Sequence, residues 1–194
     1  FSRILTAGWF PFVEIISTEF RDLLSHCESG FDLVEIEQSI VQKFDADRMG
    51  HLLDRWKAKP HFASKIQLLE AAIAAFNAGQ PIFVLKVILT EIEGVLNEAY
   101  KAAHAGQGAK TKALLNFAIE SARSKTGSED SLMLPSAFGE YLRNHTFADF
   151  DPREETGTAG SRHAVGHGAA PQDSYTMTRA LQAILTLDQL AFFT

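Results

Sequence analysis

"PIFVLKVILTEIEGVLNEAYKAA", residues 81–103, is the stretch on which the fold reading turns. Val84, Val87, Ile88, Ile92, Val95 and Leu96 recur at spacings of three and four, which gives a long helix one apolar face. "NAGQP" at 77–81 precedes it; Gly79 suits the C-cap of an earlier helix and Pro81 the first turn of the next. Lys86, Glu91 and Glu93 interrupt the apolar run, so the segment reads as a central core helix and not as a membrane span.

The same period continues on both sides. Residues 13–27 align Val13, Ile16, Phe20, Leu23 and Leu24; residues 32–44 align Leu33, Ile36, Ile40 and Phe44. A short helix is expected at 47–58, and "FASKIQLLEAAIAAFNAG" (62–79) carries Ile66, Leu69, Ile73 and Phe76 among strong helix formers. Helices are also expected at 110–123, where "SARSKTGSED" (121–130) ends the pattern, and from Pro135 to Phe147. A final one spans 174–193, capped by Asp173 or Ser174, with Met177, Leu181, Ile184, Leu185, Leu187 and Leu190 inward. No apolar–polar alternation competes with these helices, so the fold class is all-α. The expected organisation is a helical extension over 1–78 and an up-and-down helical bundle over 79–194. Trp9 in "AGWFPF" (7–12) and Trp56 read as core anchors.

Composition narrows the function. The net charge is −6, with eight basic and eleven acidic residues before Pro81 and ten and thirteen from it on. Neither half offers the broad basic surface that a general nucleic-acid binder needs, so any such contact is a local patch or one assembled by two subunits. Cys27 is the only cysteine, which rules out a disulfide within the chain and a cysteine zinc site. No export signal is visible, and a cytoplasmic protein without membrane contact is expected, although the chain begins at Phe1 and a further N-terminal piece is allowed for.

The chemistry concentrates in "GSRHAVGHGAAP", residues 160–171, after a long irregular stretch at 148–161. Ser161 is placed to cap a short helical turn that starts with Arg162 and His163, and His167 follows His163 by four residues. Arginine offers a permanently charged fork that fits phosphate oxygens, and histidine exchanges a proton near neutral pH. These are the groups needed to cleave RNA without a metal. A histidine would take the proton of a ribose 2′-hydroxyl as it attacks the neighbouring phosphate, and an arginine would stabilise the charge that develops.

Arg162, four intervening residues and His167 match the R-x4-6-H motif, and the segment resembles HEPN domains. The polar residue that this family often carries after the arginine is His163 here. "SRHAVGHG" followed by "LQAILTLDQLAFF" is similar to a group of bacterial HEPN-like proteins, as is "ILTEIEGVLNEAY" (88–100) to a helix ahead of their motif. The resemblance covers roughly residues 62–194. It implies an all-α, HEPN-like bundle that forms a homodimer with two motifs facing each other. It also implies a metal-independent endoribonuclease of a toxin–antitoxin or phage-defence setting, with Arg162, His163 and His167 as catalytic site and no cofactor. RNA, and an antitoxin or other protein, are the implied partners. The alternative is a HEPN-like module that has lost catalysis and binds a protein or a nucleotide.

Glu93 on the central helix is a supporting candidate that would orient Arg162 or a histidine, unless with Gly94 it only permits close packing; Tyr141 and Arg143, with Asn144, are candidates to line the cleft one helix earlier. The bland alternatives are specific. Arg162 would pair with Glu154 or Glu155 in the loop, the histidines would pack at a bundle end, and Gly166 and Gly168 would serve close packing. A zinc reading needs His145, Asp149 or Asp151 beside His163 and His167, but Ala164 stands where a metalloprotease helix carries its glutamate. His26, His51, His61 and His104 are scattered and read as surface or boundary residues.

Overall fold

The computed structural model describes residues 2–127, 134–149 and 160–194. Among these residues the chain forms ten α-helices and no strand, an all-α bundle. The helices are α1 (Ser2–Thr6), α2 (Thr18–Glu28), α3 (Val34–Gln42), α4 (Ala46–Lys57), α5 (Ile66–Asn77), α6 (Pro81–Ala103), α7 (Thr111–Thr126), α8 (Pro135–Tyr141), α9 (Arg162–Gly166) and α10 (Met177–Phe193). None is long and apolar enough to cross a membrane.

The boundaries follow local chemistry. Asp45 caps α4 by accepting the Arg48 N–H at 2.9 Å. Gly79 closes α5 at φ +68°, in the left-handed region, and Pro81 opens α6. α7 runs through Ser121–Thr126 before Gly127, at φ +69°, ends it. The sequence reading stopped that helix at residue 123, because serines and charges look like a break when packing is unseen. α10 is capped by Thr176, whose Oγ1 accepts the Arg179 N–H at 3.2 Å, and not by Asp173 or Ser174, which lie in a 3₁₀ turn (Gln172–Ser174). The expected unbroken helix from Pro135 to Phe147 changes at Leu142 into one π turn (Leu142–Thr146), in which the Phe147 N–H reaches back to the Leu142 carbonyl at 2.8 Å.

α6 is the hub, packed against α5, α7, α9 and α10, and α10 also meets α3, α4 and α7. Most of the inward set read from the sequence is buried on both helices, Val84, Ile88, Ile92, Val95 and Leu96 on α6 and Leu181, Ile184, Leu185, Leu187 and Leu190 on α10, while Val87 and Met177 are only partly buried. Each fully buried Leu or Ile contributes roughly 1.5–3 kcal/mol. The polar face of α10 is buried too, with Gln182, Thr186, Asp188 and Gln189 all under 5% exposed. A helix buried on every side needs partners for its polar groups.

Those partners come from the first twenty residues and from α4. The Ala7 carbonyl accepts from Gln182 Nε2 and Arg179 Nη1, each at 3.0 Å, and the Val13 N–H donates to Gln189 Oε1 at 2.7 Å. Asp188 accepts from Trp56 Nε1 at 3.0 Å and from Arg55 Nη2 at 2.9 Å. Arg55 also reaches Glu14 Oε2 at 2.7 Å, and Arg48 joins Glu14 Oε1 at 3.0 Å to Glu19 Oε1 at 2.9 Å. Trp9, Phe10 and Phe12 are fully buried, as is Trp56. Phe10 packs against Phe138 and Tyr141 with ring centroids 5.1 and 5.6 Å apart. One hydrophobic cluster thus holds Ile4–Ile15 residues together with α6 and α10 residues, from both sides of position 78.

Asp188→Ala is expected to lower the unfolding free energy by about 1–3 kcal/mol, the cost of leaving the buried Trp56 N–H unpaired. The Arg55 side of the pair adds little, because its side chain is 48% exposed. Asp188→Asn keeps an acceptor for Trp56 and is expected to lose less. Urea denaturation of the two variants beside wild type measures the difference, and equal losses would contradict the assignment.

Candidate functional site

Two features converge near the end of α8: the α9 turn and a polar cavity. Ser161 builds the first. Its Oγ accepts the Ala164 N–H at 3.4 Å, capping α9, and donates to the Ala148 carbonyl at 2.9 Å, which ties α9 to the chain beyond the π turn. Ala164 and Val165 are buried where α9 packs on α6. Gly168, at φ +71°, closes the turn, with the Ala169 N–H donating to the Ala164 carbonyl at 2.8 Å.

Arg162 points back to α6 and forms an ion pair with Glu93, whose other oxygen accepts the Thr111 hydroxyl at 2.5 Å. Thr111, Glu93 and Arg162 therefore form one chain of contacts across α7, α6 and α9. The Arg162 side chain is 27% exposed, and its buried Nε has no hydrogen-bond partner among the described residues. His163 is half-buried. His167 caps the far end of α9, is exposed, and has no side-chain hydrogen bond or ion pair among the described residues. The structure brings Arg162 to Glu93, and gives the two imidazoles no hydrogen-bond or ion-pair partner among the described residues. Glu154, Glu155 and Asp151 lie outside the described residues, as does most of the 148–161 stretch. No group of three metal-ligating side chains occurs among the described residues.

Tyr141 and Arg143 stand elsewhere. Arg143 is exposed. Tyr141 is buried; its hydroxyl donates to the Gly8 carbonyl at 3.0 Å and lies 3.4 Å from Thr186 Oγ1. Burial pushes its hydroxyl pKa up to about 12, so it stays protonated and holds the N-terminal turn onto α10.

Tyr141 also lines the second feature, a cavity of about 200 Å³ between the N-terminal turn, the π turn and α10. Asn144, His145, Ser161 and Arg179 share its wall, whereas Arg162, His163 and His167 do not. Burial, then the nearby charge of Arg179, lowers the His145 pKa, so the imidazole is neutral at neutral pH. Its ring stacks on Tyr141 with centroids 4.9 Å apart. Sequence reasoning singled out Tyr141 and Asn144 on this wall and missed Arg179. The available signal was that Arg179 is the lone cation of α10, placed in its first turn.

Comparison of the chain with protein-family models, with curated proteins and with solved structures gives no match.

The lowered His145 pKa carries a pH dependence with a definite sign. The unfolded chain binds this proton more readily than the folded one, so His145 contributes stability above its ordinary value of 6.5 that is lost as pH falls through the folded value. His145→Gln lacks that contribution. The gap in urea midpoint between wild type and this variant is expected to narrow from about pH 7.5 to about pH 5, and a constant gap would contradict the assignment.

Proposed function

We propose that this chain is a HEPN-like protein that cuts RNA without a metal, its reactive groups lying on α9 and acting as a facing pair in a homodimer. The observation that carries this reading is the division of labour on one five-residue turn. Arg162 is fixed at its start by Glu93, while His167 stands exposed at its end with no side-chain partner among the described residues. A positioned cation beside a histidine free to exchange a proton is the pairing that phosphodiester transesterification requires.

His167 takes the proton from the 2′-hydroxyl, the 2′-oxygen bonds to phosphorus, and the bond to the 5′-oxygen breaks. The products are a 2′,3′-cyclic phosphate and a 5′-hydroxyl, the leaving oxygen collecting a proton from the histidine of the other motif or from water. Arg162 faces the charge that accumulates on the phosphoryl oxygens. His163, half-buried beside it, positions the substrate or shares the proton transfer. Glu93 holds the guanidinium in place, a positioning role.

A second reading is favoured by the same ion pair. An Arg162 already neutralised by Glu93, in a chain of net charge −6, attracts a polyanion weakly. The α9 turn would then serve a non-catalytic module that binds a protein or a nucleotide.

Incubation of the purified chain with labelled RNA in the presence of a chelator separates the two. Wild type is expected to produce cyclic-phosphate ends, and His167→Ala to cut about 10²–10⁴-fold more slowly, the usual worth of a general acid–base. RNA left intact by wild type, with unimpaired growth of cells expressing it, rules out the nuclease. A chain that sediments as a monomer while still cutting rules out the shared site alone.

A further inference from the structure

The polar cavity beside the π turn has an unusual balance of donors. Four of the five described hydroxyls around it are already donors within the protein: Tyr141 to the Gly8 carbonyl, Thr186 to the Gln182 carbonyl, Ser161 to the Ala148 carbonyl and Thr6 to the Ser2 carbonyl, Thr146 being the fifth. The donors left over are different. Arg179 uses Nη1 on the Ala7 carbonyl and on Gln182 Oε1, both at 3.0 Å, while its Nε and Nη2 make no hydrogen bond among the described residues. Neither the Asn144 amide nor the His145 ring has a hydrogen-bond partner among those residues. Among the described residues, no carboxylate lines the cavity.

Arg179 is also held in place. Gly8, at φ +85°, passes so close that a Cβ there would stand 2.3 Å from Nη1, and the backbone of this turn clamps one edge of the fork. Glu37 feels Arg179 electrostatically and shares a second cavity with it, but it takes the Trp9 indole N–H at 2.8 Å and does not line this one. A fixed cation with an open edge, beside two neutral donors, is preorganised for an anion.

We propose that this cavity binds a small oxyanion, a phosphate or carboxylate group, with Arg179 as its countercharge and Asn144 and His145 as neutral donors. At about 200 Å³ the space is below the range of sites for drug-sized ligands, so the ligand is inorganic phosphate or a small acid and not a whole nucleotide. The site is separate from the Arg162–His167 pair and independent of the nuclease reading. It touches that turn through Ser161, which lines the cavity and caps α9.

The test is calorimetric titration of the full chain with inorganic phosphate and, separately, with acetate, ionic strength being held constant with chloride. Saturable binding of phosphate identifies a phosphoryl ligand and of acetate a carboxylate ligand; either supports the site. Arg179→Gln is expected to weaken binding at least about tenfold, the worth of a charge-assisted hydrogen bond. Arg162→Ala is expected to leave it unchanged. Should Arg179→Gln fail to fold, Asn144→Leu, at an exposed position that leaves Ala7 untouched, must still weaken binding. No saturable binding of either anion overturns the proposal, as does wild-type affinity in Asn144→Leu or Arg179→Gln. Binding lost in Arg162→Ala and retained in Arg179→Gln assigns the anion to α9 instead, overturning this site while leaving the nuclease reading in place.

Discussion

Asp188 places a carboxylate at 3% exposure in the middle of the last helix, and much of the chain is arranged around that fact. Burial, with a smaller push from the nearby Glu14 charge, raises its pKa, while Arg55 and the Trp56 indole N–H pull the other way. Those two residues lie on α4, and Arg55 leads on through Glu14 to Arg48 and Glu19. A single buried acid on α10 thus fixes where α4, α2 and the segment before α2 must sit. A hydrophobic residue at 188 would pack as well, but would give α4 no reason to choose this register.

The backbone of the N-terminal segment has the complementary need. Between α1 and α2 the chain is irregular, and its N–H and C=O groups have no helix to satisfy them. Gln182 and Gln189 on α10, with Tyr141 on α8, supply partners for Ala7, Gly8 and Val13. Apolar contact and polar pairing therefore act on the same surface. Trp9, Phe10, Phe12 and Ile15 are buried where those bonds are made, which keeps water out and strengthens each bond.

How much of this was legible in the sequence depended on distance along the chain. α6 was readable to its ends, since its apolar period, Gly79 and Pro81 are local signals. α10 was readable as a helix, but its polar face was not readable as buried: Gln182 and Gln189 look like solvent residues until the first turn of the chain is laid over them. The π turn left no mark in composition, because an extra residue within a helix changes no period over five positions. On α9 the Ser161 cap was legible as a spacing, and Glu93 as a carboxylate of the central helix able to orient Arg162 or a histidine; that it takes Arg162 was not, because the two lie 69 positions apart on different helices. The cavity was not, since Arg179, Asn144 and Ser161 meet only through three separate elements.

The bond from Val13 to Gln189 joins residues 176 positions apart. Closing so large a loop carries an entropic cost that no local contact offsets in advance. A ribosome delivers the chain from its N-terminal side, so Trp9, Phe10 and Phe12 are made early and find their cover only when α10 has been released. Until then an aromatic cluster is bare, and the nascent chain is open to association with other chains or with a chaperone. The order of synthesis and the order of packing run in opposite directions in this protein, and this part of the core is complete only once α10 has been made.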